Sequence, residues 1–339
     1  MRRLLFVVSM LAVVGSIAFF PADASADEKP ERITVATWNL EWFFDDYTGD
    51  NYRDLARELS APSREEWEWK RDGVAAAIAK MKPTILALQE VESSRTVYYL
   101  TKSLKDNHGL DYRIAFIQGY DFGTEQDVAV IYQSGLVEYS RREQTQEMWS
   151  NKDYYSLPKH LFARFEWGAG DEKESLLLLN VHLRAFPDAN DIRERQARLA
   201  RAWLTDAITR GENVIAIGDF NTNDLYGESV ATSDMGIFYG AGTEDKADDL
   251  IDLHGRLKPN ERATHLIGKQ FDRILVSQPL LDDKQGRKDL VLRSLVNRKD
   301  ACVLGEKADE DHWQIYWKIP QAERDLSDHY PLVAEFEFR

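Results

Sequence analysis

The stretch "NVIAIGDFNT", residues 213–222, passes from an unbroken apolar run into Asp219-Phe220-Asn221. A short run of aliphatic residues closed by Gly and Asp reads as a buried strand. Two-residue alternation then puts Asp219 and Asn221 on one side of that strand and turns Phe220 the other way. Two readings of the ending stay open at this point. It is an ordinary turn, since Asp and Asn cap turns well, or it is a site at the mouth of a sheet.

Working outward, short apolar runs alternate with amphipathic stretches, which points to an α/β sandwich. Strands are expected at 33–38, 84–89, 128–132, 161–165, 176–183, 214–218, 273–277 and 332–338. Ser63-Arg-Glu-Glu66 has capping-box spacing, and the helix it opens carries Trp67, Val74, Ile78 and Met81 on one face until Pro83 stops it. A long charged helix is expected over 191–210, with Ile192, Leu199, Trp203 and Ala207 toward the core. Residues 223–246 and 281–325 read as surface loops, the second an insertion with Trp313, Tyr316 and Trp317 and room for a small appended element. No internal repeat and no linker divides the chain, so residues 27–339 are expected to form a single catalytic domain.

The N-terminus sets a different expectation. Met1-Arg2-Arg3 precedes an almost wholly apolar run at 4–20, Pro21 breaks it, and Ala24-Ser25-Ala26 offers a small-x-small cleavage pattern. Residues 1–26 therefore read as a secretory signal peptide cut near Ala26, giving a secreted or periplasmic protein. The chain is acidic, with 58 Asp and Glu against 43 Lys and Arg and a formal charge of -15. Such a field does not draw polyanions and argues against a structural nucleic-acid binder. It leaves room for an enzyme that meets phosphate through a cation. Cys302 is the only cysteine, so no intramolecular disulfide is possible, and nothing nearby marks a base that would make it a nucleophile.

Polar residues gather where the expected strands end. Strand one closes on Asn39-Leu40-Glu41, the second on Gln89-Glu90, the fifth on Asn180-Val181-His182, and the opening stretch on Asp219-Phe220-Asn221. Asp272-Arg273 begins a strand and Ser327-Asp328-His329 precedes the last one. In a sandwich such ends converge at one edge, and Asn, Glu, Asp and His together suit a hard divalent metal and a phosphate. Phosphodiester cleavage needs a cation against developing charge, a base for water, and donors for the phosphoryl oxygens.

The ordered set Trp38-Asn39, Gln89-Glu90, Asn180-Val181-His182, Gly218-Asp219-Phe220-Asn221, Phe271-Asp272-Arg273-Ile274 and Ser327-Asp328-His329-Tyr330-Pro331 resembles the endonuclease/exonuclease/phosphatase superfamily, the deoxyribonuclease-I-like fold. The resemblance spans residues 33–338 and implies a four-layer α-β-β-α sandwich of two mixed sheets with helices on the outer faces. It implies Glu90 as principal metal ligand, Asn39 as phosphate contact or metal placer, Asp328 completing the metal or water site, and Glu41 as a second acidic ligand. Asp219 would contact the attacking water, Asn221 a phosphate oxygen, and His329, oriented by Asp272, the scissile phosphate and a proton. His182 matches the second histidine of the deoxyribonuclease-I-like and sphingomyelinase branches, and Asp127 is the candidate partner for it. The arginine that relatives often place before the strand near 161 is missing, with Lys159 as its substitute for phosphate.

The resemblance thus implies a divalent-metal-dependent phosphodiesterase, with Mg²⁺ ahead of Mn²⁺ or Ca²⁺. The expected substrate is nucleic acid, DNA foremost, cut by in-line attack of water to leave a 5'-phosphate. A phospholipid head group, as in a sphingomyelinase or phospholipase C, is the second expectation, and a non-catalytic binding module the third. No obligate protein partner is implied, and a monomer is expected. His108, His160, His254, His265 and His312 are expected in loops or on the surface, because no pair has zinc spacing.

Overall fold

A computed structural model of the chain describes residues 28–283, 289–309 and 312–339, so the signal segment read at 1–26 lies outside the described residues. Among the described residues no helix is long and apolar enough to cross a membrane.

Two six-stranded sheets face each other. Numbering strands along the chain, the first sheet combines β1 (Arg32–Phe43), β2 (Ile85–Val91), β3 (Arg113–Phe116), β4 (Asp127–Tyr132), β11 (Leu290–Asn297) and β12 (Leu332–Phe338) in the order β11-β12-β1-β2-β4-β3. The second combines β5 (Leu136–Ser140), β6 (His160–Trp167), β7 (Glu174–His182), β8 (Asn213–Asp219), β9 (Leu250–Asp252) and β10 (Asp272–Ser277) in the order β5-β6-β7-β8-β10-β9. Both sheets are mixed, with β1–β2 and β7–β8 parallel and their other pairings antiparallel.

Alternation sorts the strand residues into layers. Ile33, Val35, Ile85, Ala87, Leu176, Leu178, Ile215, Ile217, Ile274 and Val276 pack between the sheets. Their alternate neighbours Ala36, Trp38, Leu86 and Leu88 face the helices Arg64–Met81 and Ser94–His108, while Val214, Ala216 and Leu275 face the helix Asn190–Thr209. The result is the α-β-β-α sandwich. Ser63 caps its helix by accepting the Glu66 amide (3.3 Å), and Trp67, Val74, Ile78 and Met81 are all buried. In the helix Asn190–Thr209 the core face includes Arg193 while Ile192 is half-buried, because the Arg193 guanidinium is paired with Asp234 (2.9 Å).

Two loop expectations are corrected. The 281–325 stretch contains β11, an edge strand whose charged flanks mask its apolar residues, and residues 223–246 contain the helix Asp234–Tyr239.

Strand register carries the polar ends to one place. In the parallel β7–β8 pair His182 lies opposite Asp219, and in the antiparallel β8–β10 pair Asp272 lies opposite Asp219. Asp219 is therefore flanked on both sides, and all three side chains share the parity of the inter-sheet residues. Gly218, one residue earlier, has φ +134, and a Cβ there would sit 2.0 Å from the Val181 carbonyl oxygen. Only glycine lets the two strands close at this point. Gly218→Ala is expected to cost roughly 3 kcal/mol from combined backbone strain and overpacking; a thermal melt unchanged from the parent would contradict it.

Candidate active site

The opening question is answered by the neighbours of Asp219. Its carboxylate accepts Asn39 Nδ2 (2.9 Å) on Oδ2 and the Asn221 backbone N–H (2.8 Å) on Oδ1. His182 Nε2 lies 3.6 Å and His329 Nε2 3.8 Å from the same Oδ2. Phe220 turns away and packs against Phe238 with ring centroids 4.9 Å apart. The turn is real, and it also aims a carboxylate into a buried polar cluster.

Glu90 reaches that cluster by a departure from strand geometry. Strict alternation after Ala87 and Gln89 would send it to the helix side of the sheet. Instead the β2–β4 register shifts between Gln89 and Val91, and Glu90 takes φ +59. Such a bulge re-aims a side chain. Glu90 Oε1 accepts Asn39 Nδ2 (3.1 Å), and Oε2 accepts the Trp42 N–H (3.0 Å) and Gln126 Nε2 (2.6 Å). A second irregularity in β1 gives Glu41 φ +46 and Trp42 φ +44. Non-glycine residues held this way collect at functional sites.

The Asn39 amide spends both protons on the two carboxylates, so it bridges Glu90 and Asp219. Asn221 is likewise committed: its Nδ2 donates to Leu183 O (3.1 Å) and Asp219 Oδ2 (3.2 Å). It therefore holds Asp219 in place and has no amide proton left for a phosphate oxygen. Lys159 is buried beside the cluster, 3.3 Å from Asp121 and donating to Gln126 Oε1 (3.2 Å). It acts on Glu90 through Gln126.

The two histidines are shifted in opposite directions by their surroundings. His329 Nδ1 meets Asp272 Oδ2 at 2.8 Å, which fixes Nδ1–H as the donor and turns Nε2 into the cluster. Although burial opposes it, the carboxylates of Asp272, Asp219 and Asp328 raise His329 well above the ordinary histidine value. His182 is driven the other way by burial and then by the charges of Lys159 and His329. Asp219 is raised by burial, while Asp328 is held low by His329 and His265 despite burial.

Asp127 does not pair with His182. Its Oδ1 accepts the Gly119 N–H (2.6 Å), and among the described residues His182 Nδ1 is buried with no hydrogen-bond partner. The residue before it, Gln126, enters the cluster, where it donates to Glu90 Oε2 (2.6 Å) rather than pairing with His182. Burial pushes the Asp127 carboxyl up to about 6. A raised native value favours the protonated form, so the associated stability is complete below the unfolded carboxyl's pKa and is lost as pH rises through about 6. Asp127→Asn keeps an acceptor for Gly119 and is expected to gain on the order of 1–3 kcal/mol above that pH, with no gain near pH 3 and activity retained. Melts across pH together with a rate assay check this; lost activity would restore a catalytic role.

Glu41 is engaged elsewhere than on Glu90's cluster. Its Oε2 accepts the Asp328 N–H (3.1 Å) and meets His312 Nε2 (2.6 Å). It thus anchors the loop carrying Asp328 and His329. Asp328 Oδ2 accepts Trp313 Nε1 (2.8 Å) and lies 3.3 Å from His265 Nε2, leaving Oδ1 3.8 Å from His329 Nε2. Four histidines expected in loops or on the surface, His160, His254, His265 and His312, are buried, and only His108 of the five is exposed. His265 and His312 went unread because their partners are more than 60 residues away in the chain. Cys302 is buried with Sγ donating to Ser327 O (3.0 Å), and burial pushes its thiol well above the usual range.

Glu90, His182 and Asp219 offer ligand atoms within 4.8 Å of one another. Glu90 is pushed up to about 7 by burial and by the charge of Asp328. Burial thus disfavours the bare carboxylates of Glu90 and Asp219, and a hard divalent cation would offset that cost.

Residues 36–329 match the Endonuclease/Exonuclease/phosphatase family, and the chain belongs to that family. Its members are phosphodiesterase and phosphatase hydrolases. The fold is similar to the human Nocturnin catalytic domain with bound sulfate, at 16% identity and TM-score 0.55 over 92% of this chain and 96% of that one. It is also similar to zebrafish (D. rerio) TDP2 complexed with single-strand DNA product, at 15% identity and TM-score 0.53 over 91% and 100%. A Bacteroides thetaiotaomicron endonuclease/exonuclease/phosphatase family protein matches at 16% identity and TM-score 0.53 over 92% and 99%. No curated protein matches the sequence significantly.

Proposed function

We propose that the protein is a divalent-metal-dependent nuclease that hydrolyses DNA, and RNA by the same chemistry, with Mg²⁺ as the working ion. It acts as a monomer with one catalytic domain, in the periplasm or outside the cell after loss of residues 1–26. The observation that carries the catalytic reading is the split between two imidazoles facing one carboxylate. His329 and His182 both bring Nε2 within 3.8 Å of Asp219 Oδ2, one favoured protonated and the other favoured neutral. Titratable groups driven apart in this way mark acid and base assignments.

Glu90 would hold the cation, with His182 and Asp219 beside it. When bound, the ion supplies charge neutralisation to the phosphoryl oxygens and polarises the scissile bond. Asp219, fixed by Asn39 and Asn221, orients the attacking water and takes its proton. His329 offers Nε2–H to a phosphoryl oxygen, with Asp272 holding the ring. His182 Nε2 lies where a second phosphoryl oxygen or the leaving oxygen comes. A nucleic-acid substrate is supported by the TDP2 relative, which was solved with a DNA product. The test is a panel of supercoiled plasmid, single-stranded oligonucleotide and sphingomyelin vesicles, each with Mg²⁺, Mn²⁺ or Ca²⁺. Cleavage of the nucleic acids is expected; hydrolysis confined to sphingomyelin would move the substrate to phospholipid.

A further inference from the structure

Trp313 is an exposed aromatic that cannot move freely. It belongs to the short helix His312–Ile315 and leaves 49% of its surface open. Its indole N–H donates to Asp328 Oδ2 (2.8 Å). One ring face lies on His265, with centroids 5.8 Å apart and planes 22° apart. His265 is itself fixed: its Nδ1 accepts the Ile267 N–H (3.2 Å), so its proton sits on Nε2 and points at Asp328. A cation on that Nε2 would break this arrangement, so the group His265, Asp328 and His329 reads as a scaffold. The edge of His265 then packs on His329 at 4.5 Å and 89°. His312 meets the indole edge-on at 6.2 Å, and the half of the ring left exposed is one ring removed from the imidazole that meets the phosphate.

We infer that Trp313 is the platform on which the base beside the scissile phosphate stacks, making it a specificity-determining residue. This inference rests on the nuclease reading above. Every base has a flat π-face, so such a platform grips single strands without demanding a sequence. A chain of formal charge -15 lacks the electrostatic attraction most nucleases use, and stacking is uncharged. Locking the ring by its N–H and its inner face removes in advance the ordering cost of binding.

Steady-state kinetics test the inference on two single-stranded substrates, one bearing bases and one with every base replaced by tetrahydrofuran. In Trp313→Ala, KM for the base-bearing strand is expected to rise about 10-fold, the loss of one stacked base, while KM for the abasic strand stays within about 2-fold. Its kcat falls alike on both, because Asp328 loses a donor. Trp313→Phe keeps a ring without the N–H, so it recovers most of the KM but not the kcat. Circular dichroism confirms that both variants are folded. Equal KM changes on the two strands, or an effect confined to kcat, would overturn the platform and leave Trp313 a positioning residue. Failure of the unaltered protein to cut any oligonucleotide would overturn the nuclease reading and the platform with it.

Discussion

His329→Ala is expected to lower kcat for phosphodiester cleavage by about 10³-fold, within the range one positioned proton donor contributes. Asp272 grips Nδ1 at 2.8 Å, and three carboxylates keep the ring charged, so Nε2–H stays available at the cluster. His182 is driven toward the neutral form by burial and is a poorer donor. Lys159 is tied to Asp121 and Gln126, and the His265 proton is committed to Asp328. The same variant leaves Asp219, Asp272 and Asp328 without their shared cation, so its melting temperature falls as well. Rates are therefore compared well below the melt, on protein with an unchanged circular dichroism spectrum. Residual activity within 10-fold of the parent would remove His329 from the reaction.

Glu90→Gln is expected to remove metal dependence at its source. The glutamine retains an acceptor for Asn39 but gives up the negative charge, which the cation needs most. With ion at about 100 times its dissociation constant, the unaltered protein gains roughly 2.7 kcal/mol of stability by mass action. The variant is expected to gain almost none, and cleavage falls by at least about 10²-fold. Thermal melts with and without Mg²⁺ read the first effect apart from any assay of activity. An undiminished metal-induced shift would place the ion on other residues.

How far the site was legible follows from where each signal lies. Two-residue alternation in the sequence sets the side for Asp219, and its strand keeps that alternation; Asn39, His182 and Asp272, marked by strand ends and motif, lie on strands of the same regular register. Glu90 was found by its motif, while alternation would have aimed it to the wrong face; the bulge at φ +59 is a backbone event that no spacing announces. Asn221 was given a phosphate contact, yet its amide is consumed by Asp219 and Leu183. Asp127 matches the expected position of a His182 partner, yet its carboxylate turns to the Gly119 N–H, a loop contact that spacing does not announce. His265 and His312 depend on contacts with residues far away in the chain, and local sequence carries no trace of them. β11 was hidden for a related reason, as an edge strand set among charged residues.

Glu90, His182, Asp219 and His329 together are proposed to form a metal-dependent phosphodiesterase centre acting on nucleic acid. Nicking of supercoiled plasmid by the purified protein in Mg²⁺, followed before and after addition of a chelator, tests it most directly. Nicking that stops on chelation and resumes with excess Mg²⁺ is the predicted result. Intact plasmid with every cation tried, or nicking indifferent to the chelator, would contradict it.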